Sequence, residues 1–182
     1  MERTLPVDLS FVLAKIHGMR SRMYERERLE RLLACRNVLE LMRTISPGTD
    51  FVSHRHFERA LVAMHVADIE LVARYLDSPY RQVLLDFLCR YQVENLKVIL
   101  RAWGRKLTPE EVSRHLVELS GGLALPTEAL LASRDLDAFL ANIPSKEFAQ
   151  AASLGAEHFA RSRSTFFIEA GLDRAWMSQL LM

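Results

Sequence analysis

The histidines, the two cysteines and a charged cluster near residue 94 are the places where this 182-residue chain could do chemistry. His54, His56 and His65 stand closest to a metal-ligand pattern, but spacings of two and nine along a helix do not converge on one face. Surface or packing roles fit them better. His17, His115 and His158 are isolated, and Cys35 and Cys89 lie in apolar helical patterns with no second ligand near them, as reduced buried thiols do. Gly121-Gly122 has neither the preceding strand nor the following lysine of a phosphate loop, so nucleotide binding is not expected. No serine, threonine or cysteine shows a base partner in sequence, although a triad assembled only in space would leave no such signature. The expectation is a protein with no catalytic residue, no cofactor and no metal.

The cluster Glu94, Asn95, Lys97 and Arg101 is different, because it sits inside a strongly apolar segment, Pro79 to Trp103. At about 100° per residue, Tyr80, Val83, Leu84, Phe87, Leu88, Tyr91, Val98, Ile99 and Ala102 make one apolar face. Leu85, Cys89, Val93, Leu96, Leu100 and Trp103 make a second, roughly opposite. Such a helix is expected to be sandwiched between neighbours. Glu94 and Asn95 fall within the first arc, where an unpartnered charge or amide costs several kcal/mol, so both are expected to be buried and to find partners. One reading is structural: Glu94 meets Lys97 one turn on, and Asn95 ties down a neighbouring helix end. The other is functional, with some of these groups lining a cavity that receives another protein.

Length favours one domain or two small repeats, and an apolar fraction of 49% with a net charge of +1 argues against disorder and against a nucleic-acid footprint. Glycine and proline fall between periodic segments, as in an all-α chain. No stretch approaches a membrane span, and the N-terminus carries no secretion signal, so a cytoplasmic protein is expected. The first helix follows Pro6 and Asp8 with a stripe of Leu9, Val12, Leu13, Ile16, Met19 and Met23, and breaks near Glu25 to Glu27. The charge run from Arg20 to Arg31 reads as a solvated face, or as arginines, Arg20 and Arg22, that meet an acidic partner. Asn37 caps a helix to Ile45, and a turn at Ser46 to Thr49 follows. A long helix runs from about Ser53 to Leu76, and Asp77 or Ser78 caps the central one, which ends at Gly104. Thr108-Pro109-Glu110-Glu111 opens a helix to Leu119 with a capping box. Pro126 and Asp135 start two short helices, Ile143-Pro144 begins one to about Ala160, and the last runs from Thr165 with Glu169, Asp173 and Arg174 on its polar side.

The run Tyr91-x-Val93-Glu94-Asn95-Leu96-Lys97-x-x-Leu100-Arg101 resembles the Tyr-Asp-x-x-Asn-Leu-Lys-x-x-Leu-Arg signature of a family of rotary-ATPase central-stalk proteins, known as C in the archaeal (A-type) and as d in the vacuolar (V-type) ATPases. Gln92 stands at the family's acidic position and Glu94 two places later. The stretch His17-Gly18-Met19-Arg20-Ser21-Arg22-Met23 resembles the family's first helix, although Leu9-Ser10-Phe11 replaces its paired tyrosines. The resemblance covers nearly all of this sequence and the first half of the family's. It implies a pseudo-threefold, funnel-like array of helical repeats and a non-catalytic rotor role, coupling a soluble shaft to a membrane ring for proton or sodium transport. The partners so implied are the shaft and the ring, which would hold the chain peripheral to the membrane. An unrelated helical adaptor binding a partner helix is the alternative.

An internal repeat agrees with such an array: residues 32 to 38 match residues 130 to 136, and Ile69-Glu70 matches Ile168-Glu169 in nearly the same register. Residues 1–105 are then a first repeat carrying the Asn95 helix, and residues 106–182 a second one without a counterpart of that helix. Trp176, Leu180 and Leu181 are accordingly expected to lack a partner and to favour self-association.

Overall fold

The computed structural model describes residues 6–49 and 53–181, with side chains from Ser10 onward. Among them there is no strand. The protein is all-α, and it divides into two compact units at Arg81/Gln82.

In the first unit, α1 (Pro6–Arg20) packs on α4 (His54–Ala73), and α2 (Glu27–Leu33) packs on α3 (Val38–Ile45). The break after α1 comes at residues 21–26, where the apolar phase slips. Asn37 accepts the Glu40 N–H at 3.0 Å and Ser53 accepts the His56 N–H at 3.2 Å, so polar side chains open α3 and α4. The core is small: Val12, Met42, Phe57, Val66, Val72 and Ala73 are buried, whereas Leu13 and Ile16 of the α1 stripe, and Phe11 outside it, are exposed. Leu9 of that stripe, and the side chains of Pro6 and Asp8, lie outside the described side chains. Tyr75 holds the far end of α4 by an edge-on contact with Phe11, ring centres 4.9 Å apart.

The second unit is built around α5 (Tyr80–Gly104). After it come α6 (Pro109–Ser113), a 3₁₀ turn at Gly121–Leu123, α7 (Thr127–Leu131), α8 (Leu136–Ala141), α9 (Lys146–Ser153), α10 (Ala156–Ser162) and α11 (Phe166–Leu180). Val93, Leu96, Ile99 and Leu100 of α5 form one core with Leu130, Phe139, Phe148, Ile168 and Leu172. The two-sided burial expected of this helix holds from Leu88 on, but Tyr80, Val83 and Phe87 are exposed.

Several helix boundaries differ from the sequence reading: α1 ends at Arg20, short of the break expected near Glu25 to Glu27, α4 ends at Ala73 and not at Leu76, and two later ones are set by other segments. The capping box at Thr108 and Glu111 is present, yet α6 stops at Ser113 and not at Leu119, because Val117 turns its backbone N–H and C=O to the side chain of Asn95. The helix expected from Ile143-Pro144 to Ala160 is two helices, α9 and α10, broken at Leu154-Gly155. There the backbone of Gly155 lies against α11: a β-carbon would sit 2.5 Å from the Ile168 nitrogen. Only glycine permits that approach. Gly171 does the same for α9 and α11, since a β-carbon there would collide with the Ala151 carbonyl oxygen.

Candidate functional site

The polar residues of α5 occupy two sides of the helix and serve two neighbours. On the first side Glu94, Lys97 and Arg101 recur at helical spacing and face Glu169 and Asp173, which are four apart on α11. Lys97 Nζ donates to Glu94 Oε1 at 3.2 Å and reaches Asp173 Oδ1 at 2.5 Å. Arg101 grips Glu169 with both Nε, at 2.8 Å, and Nη2. Thr165 at the start of α11 donates its hydroxyl to the same carboxylate at 2.6 Å. Two cations thus meet three carboxylates along one seam.

Burial decides what each pair is worth. The Lys97 side chain is 10% exposed and that of Glu169 is 13%, so both need their partners. Burial alone would push the Lys97 ammonium down, but the hydrogen bonds it donates to Asp173 and Glu94 reverse this and hold it above the ordinary lysine value. Burial likewise raises the Glu169 carboxyl, and the Arg101 and Thr165 hydrogen bonds outweigh it, leaving the group below the ordinary carboxylate range. Glu94 contradicts the expected burial: its side chain is 52% exposed and bends back to Lys97 at the edge of the seam.

On the second side the groups are amides. Asn95, 5% exposed, donates Nδ2 to the Val117 carbonyl at 2.8 Å and accepts the Val117 N–H at Oδ1 at 2.9 Å. Gln92, equally buried, donates Nε2 to the Leu123 carbonyl at 3.1 Å. These two side chains supply backbone partners for the non-helical stretch after α6 that helix geometry does not. Gln92 occupies the position where the resembled signature has an acid. An ionised carboxylate there would point oxygen at oxygen, so this chain needs a donor. Trp103 and Trp176 pin the two ends of the buried part of α5: Trp103 Nε1 donates to the Ser133 carbonyl at 2.7 Å, and Trp176 Nε1 donates to the Asp86 carbonyl at 2.9 Å. Trp176 is therefore partnered, contrary to the sequence expectation, while Leu180 and Leu181 are exposed.

Arg20 and Arg22 take partners within the first unit. Arg20 Nε lies 3.4 Å from Glu25 Oε1, and Arg22 Nη2 is 2.9 Å from Asp68 Oδ1, both on exposed side chains. His54 is 3.4 Å from Glu58 one turn on, and among the described residues no three His, Cys, Asp or Glu gather as a metal site would require. Cys35 and Cys89 are half-buried free thiols, less enclosed than the sequence suggested. Burial first, then the charges of Asp86 and Glu147, push the Cys89 thiol up to about 11.

The sequence singles out Glu94, Asn95, Lys97 and Arg101 as one cluster and puts Glu169 and Asp173 only on a polar face. The missed signal is complementarity: basic groups four apart on α5 match acidic groups four apart on α11.

In comparison with protein families, the model described as ATP synthase (C/AC39) subunit matches residues 12–182. Comparison with curated proteins and with solved structures returned no match.

Proposed function

Because the chain belongs to the ATP synthase (C/AC39) subunit family, we propose that it is a non-catalytic central-stalk component of a rotary ATPase, seated between the soluble shaft and the membrane ring. The observation that supports this most is the two-sided fixing of α5. Its buried half is held by ion pairs to α11 and by amide clamps to residues 117 and 123, and its polar groups are used on neighbouring elements. A part that passes torque needs this stiffness, and satisfied buried networks provide it. It needs no reacting group.

Two further features fit a member of an assembly. Leu13 and Ile16 leave part of the apolar stripe of α1 exposed, which a neighbouring protein would cover. Arg20, Arg22 and Glu94 present exposed charge for such contacts, while Asn95, Lys97 and Arg101 act inside the chain. Asn37 and Asp135, 98 residues apart, each accept the N–H three positions on, at 3.0 and 2.8 Å. That shared cap supports two helical repeats, residues 1–105 and 106–182, of the funnel-like array that the family resemblance implies. No helix among the described residues is long and apolar enough to cross a membrane. On this reading the chain stays on the cytoplasmic side and reaches the membrane through the ring.

Affinity purification of the tagged chain from its own cells in mild detergent tests the proposal. Rotary-ATPase subunits should accompany it. An eluate with other helical proteins and none of those subunits would favour the adaptor reading instead. Calorimetry of the isolated chain with Mg-ATP should be flat, and binding in the micromolar range would overturn the simple rotor reading.

A further inference from the structure

A cleft of about 890 Å³ opens in the second unit where α5 ends, and none of the residues lining it is acidic. Its floor is apolar, with Trp103, Leu131 and Phe159, the last only 8% exposed. Its rim is basic, carrying Arg105, Lys106, Arg134 and Arg163, all exposed. Arg134 shares its charge with Asp135 at 3.0 Å, and the Arg163 guanidinium lies over the Phe159 ring at 5.7 Å. Arg105 and Lys106 meet no carboxylate among the described residues. A chain whose net charge is only +1 has thus concentrated uncompensated positive charge around one hollow.

Two of these cations stand where lysine and arginine are conformationally costly. Lys106 has φ 57° and Arg163 has φ 56°, both in the left-handed region that favours glycine. Lys106 occupies the residue that closes α5: its N–H bonds the Trp103 carbonyl at 3.0 Å and the Leu107 N–H bonds the Ala102 carbonyl at 3.0 Å, a helix ending in which glycine is the usual choice. Arg163 closes α10 in the same way, through the Phe159 carbonyl at 2.8 Å. Strain kept at two points around one hollow points to use of the side chains there.

We propose that this cleft docks an acidic segment of a partner protein that carries an apolar anchor. An apolar floor inside a charged, solvated rim is the anatomy of a protein interface, with the rim steering and selecting the partner. A site for a small phosphate would gather buried donors on one point, whereas these cations are spread over three chain segments and face solvent. The chemistry of the cleft holds whether or not the chain joins a rotary ATPase, so this docking and the copurification above fail independently.

The probe is a fluorescent glutamate-rich peptide with a central leucine-phenylalanine pair, followed by anisotropy at low salt. It should bind the native chain, and binding should weaken as salt rises. Lys106→Gly with Arg163→Gly should weaken it by about tenfold, the effect of losing rim steering and two charge contacts. The same double variant should melt no lower than the parent, because glycine relieves both left-handed positions. A purely structural role for the two side chains predicts the reverse. Arg105→Gln supplies a second rim variant, and Arg55→Ala with Arg81→Ala removes two exposed charges elsewhere as the control. Equal weakening by the control, no weakening by the rim variants, or a lower melting point for the glycine pair overturns the proposal. So does saturable binding of pyrophosphate, or of phosphatidylserine vesicles, that needs the same rim residues and displaces the peptide.

Discussion

Replacing Asn95 tests the amide side of α5 directly. Its side chain makes two hydrogen bonds to one residue, Val117, and is 5% exposed. Asn95→Leu keeps the branching of the side chain but strands the Val117 N–H and C=O, and each orphaned group costs about 1–3 kcal/mol. Val117 is itself only half-buried, so water recovers part of this, and a total of about 2–3 kcal/mol follows from the lower end of that range. With a urea slope of about 2 kcal/mol per molar, the midpoint should fall by about 1 M. Both tryptophans, Trp103 and Trp176, lie in the second unit and anchor α5, so their fluorescence reports on this unit alone. Asn95→Asp adds a sign. It keeps the acceptor for the Val117 N–H but turns a carboxylate on the Val117 carbonyl, which raises the carboxyl's folded pKa above its unfolded value of about 3.9. The penalty is therefore present above the folded pKa and is relieved as pH falls through it, when the protonated acid donates again. Glu94→Ala, one residue away but exposed, should change stability by no more than about 0.5 kcal/mol. Asn95→Leu midpoints within about 0.2 M of the parent, or an Asn95→Asp deficit that does not shrink on acidification, would refute the clamp.

The ion-pair seam should show in acid. Glu169 titrates below the ordinary carboxylate range, so its contribution is complete above that range and is lost as pH falls through its lowered value; Arg101→Gln should flatten that part of the stability-pH curve. Gly171→Ala should cost about 1–3 kcal/mol, read as a lowered urea midpoint, because the added carbon meets the Ala151 carbonyl and not a flexible side chain. Iodoacetamide should label Cys89 slowly at neutral pH and faster as pH approaches about 11, and a fast neutral reaction would mean that the thiol is not held up by burial and its acidic neighbours.

What could be read from the sequence divides along one physical line. Features set by neighbours in the chain were legible: the caps at Asn37, Thr108 and Asp135, and the contact of Glu94 with Lys97, all depend on groups within a few residues. Features set by distant segments were not. The α9 and α10 boundary comes from the backbone of Gly155 meeting Ile168, and a glycine-containing helical pattern does not announce that approach. The end of α6 at Ser113 is set from α5, by Asn95 taking both backbone groups of Val117.

Glu94 shows why angular position alone misleads. It lies at the margin of the expected apolar arc, about 140° from Ile99 and about 20° from Arg101 on the helical wheel, on a helix whose backbone is buried. Its carboxylate nevertheless reaches the surface, because a flexible side chain at the edge of an arc swings toward a cation and water, and Lys97 stands one turn away. Asn95 has a shorter side chain and no such exit, so it had to be satisfied where it stands, and the groups within its reach were those of a passing backbone. As adjacent residues the two lie about 100° apart on the helical wheel, so they face different neighbours, and they differ in reach as well. That difference sends one to the seam with α11 and fixes the other as the clamp on Val117, which is why adjacent positions in one motif serve opposite sides of the helix.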